Sequence, residues 1–210
     1  MVYREIGHRG LITGSSGNVS HRTADGMIIT PSGCSADTLQ TDSLVSMTLQ
    51  GDVQGSTAPS SEWVMHGAIY LAYPSAQCIV HTHADACTAL ACLNEPLPPF
   101  HYVVANFGGN NVRCAPYVTF GTPELAQCAV EALQGRTACL LANHGMIVHA
   151  ATANQALTDA LVLETLCRQY LLARSAGTVR LLTSEEMRAA HERYRTYGQR
   201  DACPLKTPHS

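Results

Sequence analysis

The sequence predicts one domain of the α/β or α+β class, in which helices cover a mixed sheet. Signals for strands and helices alternate along the chain, and no repeat, low-complexity segment or linker interrupts them. The 210 residues can bury a sizeable core, and 46% hydrophobic with 14% charged residues is the composition of a globular protein. We therefore expect residues 1–210 to form a single domain.

The first half of the chain predicts a hairpin, a helix, a strand and a second helix. Strands at 19–22 and 27–30 flank a turn that contains Gly26. A helix begins near Glu62, whose carboxylate complements the helix dipole in the first turn, and continues through Tyr70. The apolar run 78–80 predicts a strand, and residues 84–93 predict the next helix.

The second half continues the alternation. Residues 117–120 are predicted to be extended, and Thr122-Pro123-Glu124 predicts a capped helix start. Strands are expected at 138–142 and 146–149, followed by a long helix over 152–176 with leucines at helical spacing. Thr183-Ser184-Glu185-Glu186 has the pattern of a capping box for a last helix that runs toward Tyr197.

Two histidines separated by one residue, His81 and His83, end the apolar run that predicts the central strand. Side chains alternate between the two faces of a strand, so His81 and His83 share one face and Thr82 takes the other. Two imidazoles at this spacing can bind the same metal ion. We therefore predict that they form part of a metal site.

A third histidine, His144, follows another predicted strand in the sequence Asn143-His144-Gly145. It joins the histidine pair if the two strands are neighbours in one sheet. Three neutral imidazoles with an open position are typical of a catalytic zinc site rather than a structural one. The other histidines are expected to have no ligand role, and His66, four residues after Glu62 on one helical face, is predicted to hydrogen-bond locally.

Three short segments are built from Gly, Ser, Thr, Pro and Asn instead of charged residues. They are Gly14-Ser15-Ser16-Gly17-Asn18, Thr30-Pro31-Ser32-Gly33 and Pro59-Ser60-Ser61. Such loops offer hydroxyls and backbone N–H groups, and a helix start adds its positive dipole end, so together they can bind a phosphate without a lysine. Neither a Walker loop nor a dinucleotide fingerprint is present, which favours a small phosphorylated molecule over a nucleotide.

Charge and cysteine content indicate which kinds of binding partner and which cellular compartment to expect. The formal net charge is −3, and the basic residues are scattered apart from a mild cluster over 188–200, so we expect neither nucleic acid nor a membrane surface as a partner. No apolar stretch approaches the ~20 residues of a membrane span. Nine cysteines without a C-x-x-C pair, mostly in apolar segments, are typical of reduced thiols, so we expect a cytoplasmic protein.

Seven motifs, in this order and spacing, resemble the class II aldolase/adducin family. They are Thr13-Gly14-Ser15-Ser16-Gly17-Asn18-Val19-Ser20, Ile29-Thr30-Pro31-Ser32-Gly33, Pro59-Ser60-Ser61-Glu62-Trp63, Val80-His81-Thr82-His83-Ala84, Ala115-Pro116-Tyr117, Phe120-Gly121-Thr122 and Asn143-His144-Gly145-Met146-Ile147. Each is short, but in series they are highly specific, and the resemblance spans about residues 10 to 200.

The resemblance implies a three-layer α/β/α fold with a mainly antiparallel central sheet flanked by helices. It also implies a zinc-dependent aldolase, whose metal is bound by His81, His83 and His144 with Glu62 on or near it. Glu62 would then become the base that removes a proton next to the carbonyl of dihydroxyacetone phosphate. Mn²⁺ or Co²⁺ stay open as alternatives to Zn²⁺, because imidazoles accept several divalent ions.

The implied reaction is the reversible cleavage of a ketose 1-phosphate, similar to L-fuculose 1-phosphate, into dihydroxyacetone phosphate and a small aldehyde such as lactaldehyde. Tyr102 resembles the family's proton donor to the aldehyde oxygen, and Tyr197 resembles a tyrosine that closes over the site. The implied phosphate ligands are Ser15, Asn18, Ser32, Gly33, Ser60 and Ser61. The family further implies a homotetramer with its sites between neighbouring subunits.

Three alternatives stay open on the same scaffold. A 3-oxo-tetronate 4-phosphate decarboxylase would share the metal and the phosphate loops, but its motif usually reads Pro-Ser-Lys-Glu where this chain has Pro-Ser-Ser-Glu. A pentulose-phosphate 4-epimerase needs a further acid in a longer central insertion, which is not found here. An adducin-like interaction module would not need the metal ligands. Asn143 stands where close relatives have histidine, and we expect it to affect substrate choice more than metal binding.

Overall fold

The computed structural model describes residues 2–196, so Tyr197 lies outside the described residues. Six α-helices occur in the described part of the chain: α1 (Val2–His8), α2 (Trp63–Ala72), α3 (Asp85–Ala91), α4 (Pro123–Ala132), α5 (Ala153–Ala176) and α6 (Ser184–Thr196). The strands there are β1 (Asn18–Arg22), β2 (Met27–Ile29), β3 (Val45–Met47), β4 (Val53–Gln54), β5 (Cys78–Thr82), β6 (Cys114–Ala115), β7 (Ala138–Leu141) and β8 (Gly145–Ala150). Short 3-10 helices lie at Thr41–Ser43 and Tyr102–Phe107.

The eight strands form one mixed sheet in the order β4-β3-β2-β1-β5-β8-β7-β6. Neighbouring strands are antiparallel except β6 and β7, which are parallel. β5 lies in the middle of the sheet between β1 and β8, and every residue of β5 and β8 is buried. The predicted fold, a mainly antiparallel sheet flanked by helices, is confirmed.

Alternation along the central strands divides the core into two layers. On β5, Cys78 and Val80 pack in the cluster that includes residues of α1, α3 and α5. Ile79, between them, packs on the opposite face with residues of α2 and α4. His81 follows the parity of Ile79, so its side chain belongs to the face that α2 covers.

Most predicted elements appear with the expected ends. The hairpin of β1 and β2 forms, and the hydroxyls of Thr122 and Thr152 each accept a backbone N–H at the start of α4 and α5. The capping box at α6 also forms, because Thr183 and Glu186 bond reciprocally at 2.8 and 3.2 Å. Residues 117–120, which the sequence predicts to be extended, belong to no strand of the sheet.

The contact between β5 and β8 requires a glycine. Thr82 pairs with Met146, and a Cβ added to the preceding Gly145 would lie 2.3 Å from the Thr82 carbonyl oxygen. A side chain there would push the strands apart, because real Cβ contacts are not that short. Gly145 therefore lets the residue before it, His144, sit against the end of β5.

Two further observations concern the chain as a whole. Among the described residues, every helix is too short or too polar to span a membrane. The single domain over residues 1–210 stays a prediction, although the one sheet joins elements from both halves of residues 2–196.

Candidate active site

Four side chains from three parts of the chain converge at one end of the central strands. Glu62 is the N-cap residue of α2, His81 is in β5, His83 follows β5 directly, and His144 lies in the turn between β7 and β8. One ligand atom from each lies within 4.8 Å of all the others. We call these four residues the Glu/His cluster. The convergence agrees with the strand neighbours, because β5 and β8 pair directly.

The distances within the Glu/His cluster suit a shared cation. Glu62 Oε2 lies 2.8 Å from His81 Nε2 and 3.4 Å from His144 Nε2, and the Nε2 atoms of His81 and His83 are 3.1 Å apart. Ligands on a tetrahedral zinc, each about 2.0 to 2.1 Å from the ion, lie about 3.3 Å from one another. The three imidazole rings also meet edge to face, at 73 to 74°.

Hydrogen bonding gives a second test of whether these residues fit a cation. His81 Nδ1 donates to the Met146 carbonyl oxygen at 2.9 Å, so in the neutral ring Nε2 carries a lone pair. That lone pair faces Glu62 Oε2, which is buried and has no hydrogen-bond partner among the described residues. Two buried acceptors that face each other are unfavourable unless a cation binds both. The cluster therefore fits a divalent metal ion and could hold one.

The local electrostatics keep the ligands in their binding forms. Burial acts to raise the pKa of the Glu62 carboxyl, but the imidazoles of His81 and His144 outweigh it, so that pKa lies well below its usual range. Burial, and to a smaller extent the proximity of the His81 and His144 rings, lowers the pKa of His83 to about 4. At neutral pH Glu62 is thus a carboxylate and His83 a neutral imidazole, as metal ligation requires.

A cavity of about 320 Å³ opens above the Glu/His cluster. Glu62, His83 and His144 form part of its wall, whereas His81 is fully buried behind them. All six residues predicted to bind phosphate also line it: Ser15, Asn18, Ser32, Gly33, Ser60 and Ser61. We call these six residues the phosphate cradle. No lysine or arginine is among the described residues that line the cavity, so the cradle offers neutral donors.

Backbone hydrogen bonds join two loops of the cradle to each other. Ser60 N donates to the Thr30 carbonyl at 3.0 Å, and Ser32 N donates to the Ala58 carbonyl at 3.0 Å. The Ser60 hydroxyl in turn accepts from Glu62 N at 3.3 Å. The cradle and Glu62, which carries the carboxylate of the Glu/His cluster, are therefore joined by a continuous set of hydrogen bonds.

Several further residues of the cavity wall were not predicted to be ligands or catalytic groups, although Asn143 was expected to affect substrate choice. They are Ser16, Gly17, Pro31, Tyr117, Val118, Phe120 and Asn143. Tyr117 and Phe120 are exposed large side chains on an irregular segment, where no periodicity marks a buried face. Gly121 of the same segment donates its N–H to Glu62 Oε1 at 3.2 Å, which places the segment beside the cluster. The motifs Ala115-Pro116-Tyr117 and Phe120-Gly121-Thr122 are the sequence signals for it.

The prediction that His66 hydrogen-bonds locally is wrong. Its ring is fully buried and bonds to two residues of β1: Nε2 lies 2.6 Å from Asn18 Oδ1, and Nδ1 lies 2.6 Å from Ser20 Oγ. Glu62 and His66 share only a backbone hydrogen bond of α2. Helical spacing suggested Glu62 as the partner, but tertiary packing turns His66 toward the sheet.

Tyr102 is not brought to the cavity of its own chain. It is 56% exposed at the start of a 3-10 helix, stacks on His101 with ring centroids 4.8 Å apart, and lies near Tyr194. It lines a separate surface cavity with Tyr194 and residues of α6. The role predicted for Tyr197 falls outside the described residues.

A larger cavity, of about 560 Å³, lies elsewhere, between α1, the β1–β2 hairpin and the start of α5. Its wall is mostly apolar and contains none of the four residues of the Glu/His cluster. Size alone therefore does not identify the functional site. The smaller cavity is identified as the functional site by its convergent polar groups and perturbed pKa values.

The fold and the cluster define a class of metal-dependent lyases, and comparison with known proteins agrees. Residues 1–171 match the family described as "Class II Aldolase and Adducin N-terminal domain". The chain belongs to this family and is an enzyme of its aldehyde-lyase class.

Similar proteins cover nearly the whole chain. A 5-methylthioribulose-1-phosphate/5-deoxyribulose-1-phosphate aldolase of Rhodospirillum rubrum is 42% identical over 96% of this chain and 91% of that protein. An L-fuculose phosphate aldolase of Escherichia coli O6:H1 is 42% identical over 93% of this chain and 92% of that protein. The solved structure of an L-fuculose 1-phosphate aldolase superposes with a TM-score of 0.87 at 37% identity, covering 91% of this chain and 92% of that one.

Proposed function

We propose that this protein is a zinc-dependent aldolase that reversibly cleaves a ketose 1-phosphate into dihydroxyacetone phosphate and a small aldehyde. The observation that carries the proposal is the adjacency of the Glu/His cluster and the uncharged phosphate cradle in one cavity. The names of the Rhodospirillum rubrum protein and of the solved structure both contain a ketose 1-phosphate, although the sugars differ. L-Fuculose 1-phosphate and 5-deoxyribulose 1-phosphate are therefore the first substrates to test.

The metal would be held by His81, His83 and His144, with Glu62 as a displaceable fourth ligand. Zn²⁺ is the first choice for three imidazoles, and Mn²⁺ or Co²⁺ could replace it. A divalent cation bound there supplies a Lewis acid that stabilises the negative charge left when a C–H bond next to a carbonyl is broken.

Glu62 would be the general base that removes this proton in the condensation direction. Its carboxylate is 5% exposed at the cavity wall, and Gly121 N holds one of its oxygens. The imidazoles lower its pKa, whereas burial alone raises it. When Glu62 swings away from the imidazoles its basicity increases, as a base in a partly desolvated site requires.

The phosphate would bind to the cradle residues Ser15, Asn18, Ser32, Gly33, Ser60 and Ser61. Hydroxyl, amide and backbone N–H donors can bind a dianion without a buried lysine. The exposed rings of Tyr117 and Phe120 stand on the wall of the same cavity and offer apolar surface to the aldehyde part of the substrate. The cradle would thereby fix the end of the substrate that is common to all ketose 1-phosphates.

Tyr102 would donate a proton to the aldehyde oxygen of a neighbouring subunit, and Tyr197 would close over the site. The distance of Tyr102 from its own cavity, with its ring exposed to another surface, supports an arrangement in which sites lie between subunits of a homotetramer. Each subunit would be one domain over residues 1–210. We propose a cytoplasmic location, in keeping with eight free cysteines in the described chain.

The test is release of dihydroxyacetone phosphate from a panel of ketose 1-phosphates, before and after dialysis against a chelator. We expect cleavage of at least one of the two substrates named above, loss of activity on chelation, and recovery when Zn²⁺ is returned. If the protein binds zinc but cleaves no ketose 1-phosphate, the aldolase proposal fails. A 3-oxo-tetronate 4-phosphate is then the next substrate to test, and a pentulose phosphate for 4-epimerisation follows.

A further inference from the structure

A line of buried polar side chains leads from the core of the sheet to the phosphate cradle. The Tyr70 hydroxyl lies 2.9 Å from Ser20 Oγ, which lies 2.6 Å from His66 Nδ1, and His66 Nε2 lies 2.6 Å from Asn18 Oδ1. All four residues are at most 5% exposed. We call Tyr70, Ser20, His66 and Asn18 the buried relay.

The direction of these hydrogen bonds follows from what each group can donate. Burial lowers the pKa of His66 to about 3, so the ring is neutral, with one N–H donor and one acceptor nitrogen. The buried Tyr70 hydroxyl needs an acceptor, and Ser20 Oγ lies within reach. Ser20 then donates its own proton to His66 Nδ1, which leaves His66 Nε2–H to donate to Asn18 Oδ1. In this direction the protons of Tyr70, Ser20 and His66 each have an acceptor within the relay, whereas the opposite His66 tautomer leaves the Ser20 proton without one there.

The last member of the relay is a wall residue of the cavity. With Oδ1 engaged by His66, Asn18 has its Nδ2 amide group left over, and this group makes no hydrogen bond among the described residues. Nδ2 is not a buried atom without a partner, so it is accessible from the cavity that Asn18 lines. Two N–H donors thus face the place where a phosphate would lie. A flipped amide would instead present a carbonyl oxygen, which repels an anion.

We propose that His66 is a positioning residue, which fixes the Asn18 amide with its nitrogen toward the substrate phosphate. Tyr70 and Ser20 act behind it by fixing the tautomer of His66. The proposal rests on the proposed function only in taking the bound anion to be a phosphate. It adds a group that touches neither substrate nor metal but decides how well the cradle binds.

Variants of the relay separate positioning from a merely structural role. Tyr70→Phe keeps the ring and removes the donor that sets the direction, and Tyr73→Phe is the matched control, since its hydroxyl bonds the Val130 carbonyl away from the cavity. His66→Leu removes both hydrogen bonds, whereas His66→Gln places an amide NH₂ where Nε2–H stood. Asn18→Asp keeps the acceptor for His66 but replaces the donor nitrogen by an oxygen.

We measure KM for the ketose phosphate, the inhibition constant of inorganic phosphate, kcat and bound zinc. His66→Leu and Asn18→Asp each weaken or remove one hydrogen bond to the charged phosphate. We therefore expect both variants to raise KM and the phosphate inhibition constant roughly tenfold to a hundredfold. Tyr70→Phe should raise KM and the phosphate inhibition constant less, by roughly threefold to tenfold. The Asn18 amide keeps its bond to His66 in this variant, and only the tautomer of His66 is less strongly fixed. His66→Gln should restore most of the affinity, Tyr73→Phe should match the wild type, and zinc content should not change.

A second readout does not depend on activity. ¹⁵N NMR of the wild-type protein should find His66 as the Nε2–H tautomer, and a Nδ1–H tautomer would overturn the proposal even if His66→Leu fails to fold. Unchanged phosphate affinity in Tyr70→Phe and His66→Leu would overturn it too. If the wild type cleaves no ketose phosphate, the proposed function fails, whereas the tautomer and the inorganic phosphate affinity still decide the role of His66.

Discussion

The Glu/His cluster and the tyrosine patch of Tyr102 and Tyr194 are opposite kinds of structure. Glu62 is 5% exposed and His81 is fully buried, and both are fixed by the core of one chain. Tyr102 is 56% exposed on a short 3-10 helix and lies away from the cavity. Folding of one chain is therefore enough to assemble the Glu/His cluster, whereas it leaves Tyr102 on a different surface, in keeping with the proposed site between subunits.

The largest expected effect comes from removing the carboxylate of the cluster. Glu62→Gln keeps three imidazoles for the metal but loses the base, so kcat should fall by about 10² to 10⁴. Steady-state kinetics with zinc analysis of the same sample checks this. Glu95→Gln is the matched control, because Glu95 pairs with Arg174 on the surface. A Glu62→Gln enzyme with nearly wild-type kcat would show that another group is the base.

The next effect concerns the ligands. His83→Gln removes one imidazole from the cluster and should weaken zinc binding by at least about a hundredfold. Loss of a residue that only hydrogen-bonds to a metal ligand already costs about 10- to 100-fold, and loss of a ligand itself should cost more. Competition with a fluorescent zinc chelator measures it. His21→Gln, at an exposed histidine outside the cluster, should bind zinc as the wild type does. Equal zinc affinities for all three proteins would contradict the assignment of His83.

Mixing variants tests the tyrosine patch. Tyr102→Phe keeps the ring stack on His101 and removes the hydroxyl, which should lower kcat by about tenfold to a hundredfold. If sites lie between subunits, equal amounts of Tyr102→Phe and Glu62→Gln should regain activity after subunit exchange, because about a quarter of the sites then hold both wild-type groups. The activity of the mixture against time checks this. A mixture that stays no more active than its components after subunits have exchanged would contradict a site shared between subunits.

The last expected effect is on stability in acid, which leaves activity at neutral pH unchanged. The pKa of His66 is about 3 in the folded chain, against ~6.5 when unfolded, so the unfolded state binds more protons between these values. The contribution of His66 to the free energy of unfolding should be fully present above about pH 6.5. It should fall by a few kcal/mol as the pH drops toward 3. Urea titration of the metal-free protein should show a flatter acid limb for His66→Gln than for His21→Gln. Equal slopes would mean that His66 is not buried as a neutral ring.

Much of the fold and of the candidate site could be predicted because the signals are local. The His81–His83 spacing, the caps at Thr122 and Thr152, and the glycine and serine loops each depend on neighbours a few residues away. In the structure the Nε2 atoms of the two histidines lie 3.1 Å apart, and the loops line one cavity with His83. Short-range geometry was enough to name the participants.

What the sequence missed depends on long-range contacts. His66 bonds Asn18, 48 residues earlier, and no periodicity within α2 points to β1. The segment 117–120 has aromatic residues typical of a strand, but it has no neighbouring strand to pair with and instead lines the cavity. The position of Tyr102 likewise follows from the packing of α6 against its 3-10 helix, which short-range spacing does not encode.

The most direct test of the central claim is a zinc titration of the metal-free protein, with dihydroxyacetone phosphate release from a ketose 1-phosphate as the signal. We expect no activity without metal and a linear rise to a plateau at about one zinc per chain, since one cluster of four ligands serves each site. Full activity in the metal-free protein, or a plateau that the Glu62→Gln and His83→Gln variants reach equally, would contradict it.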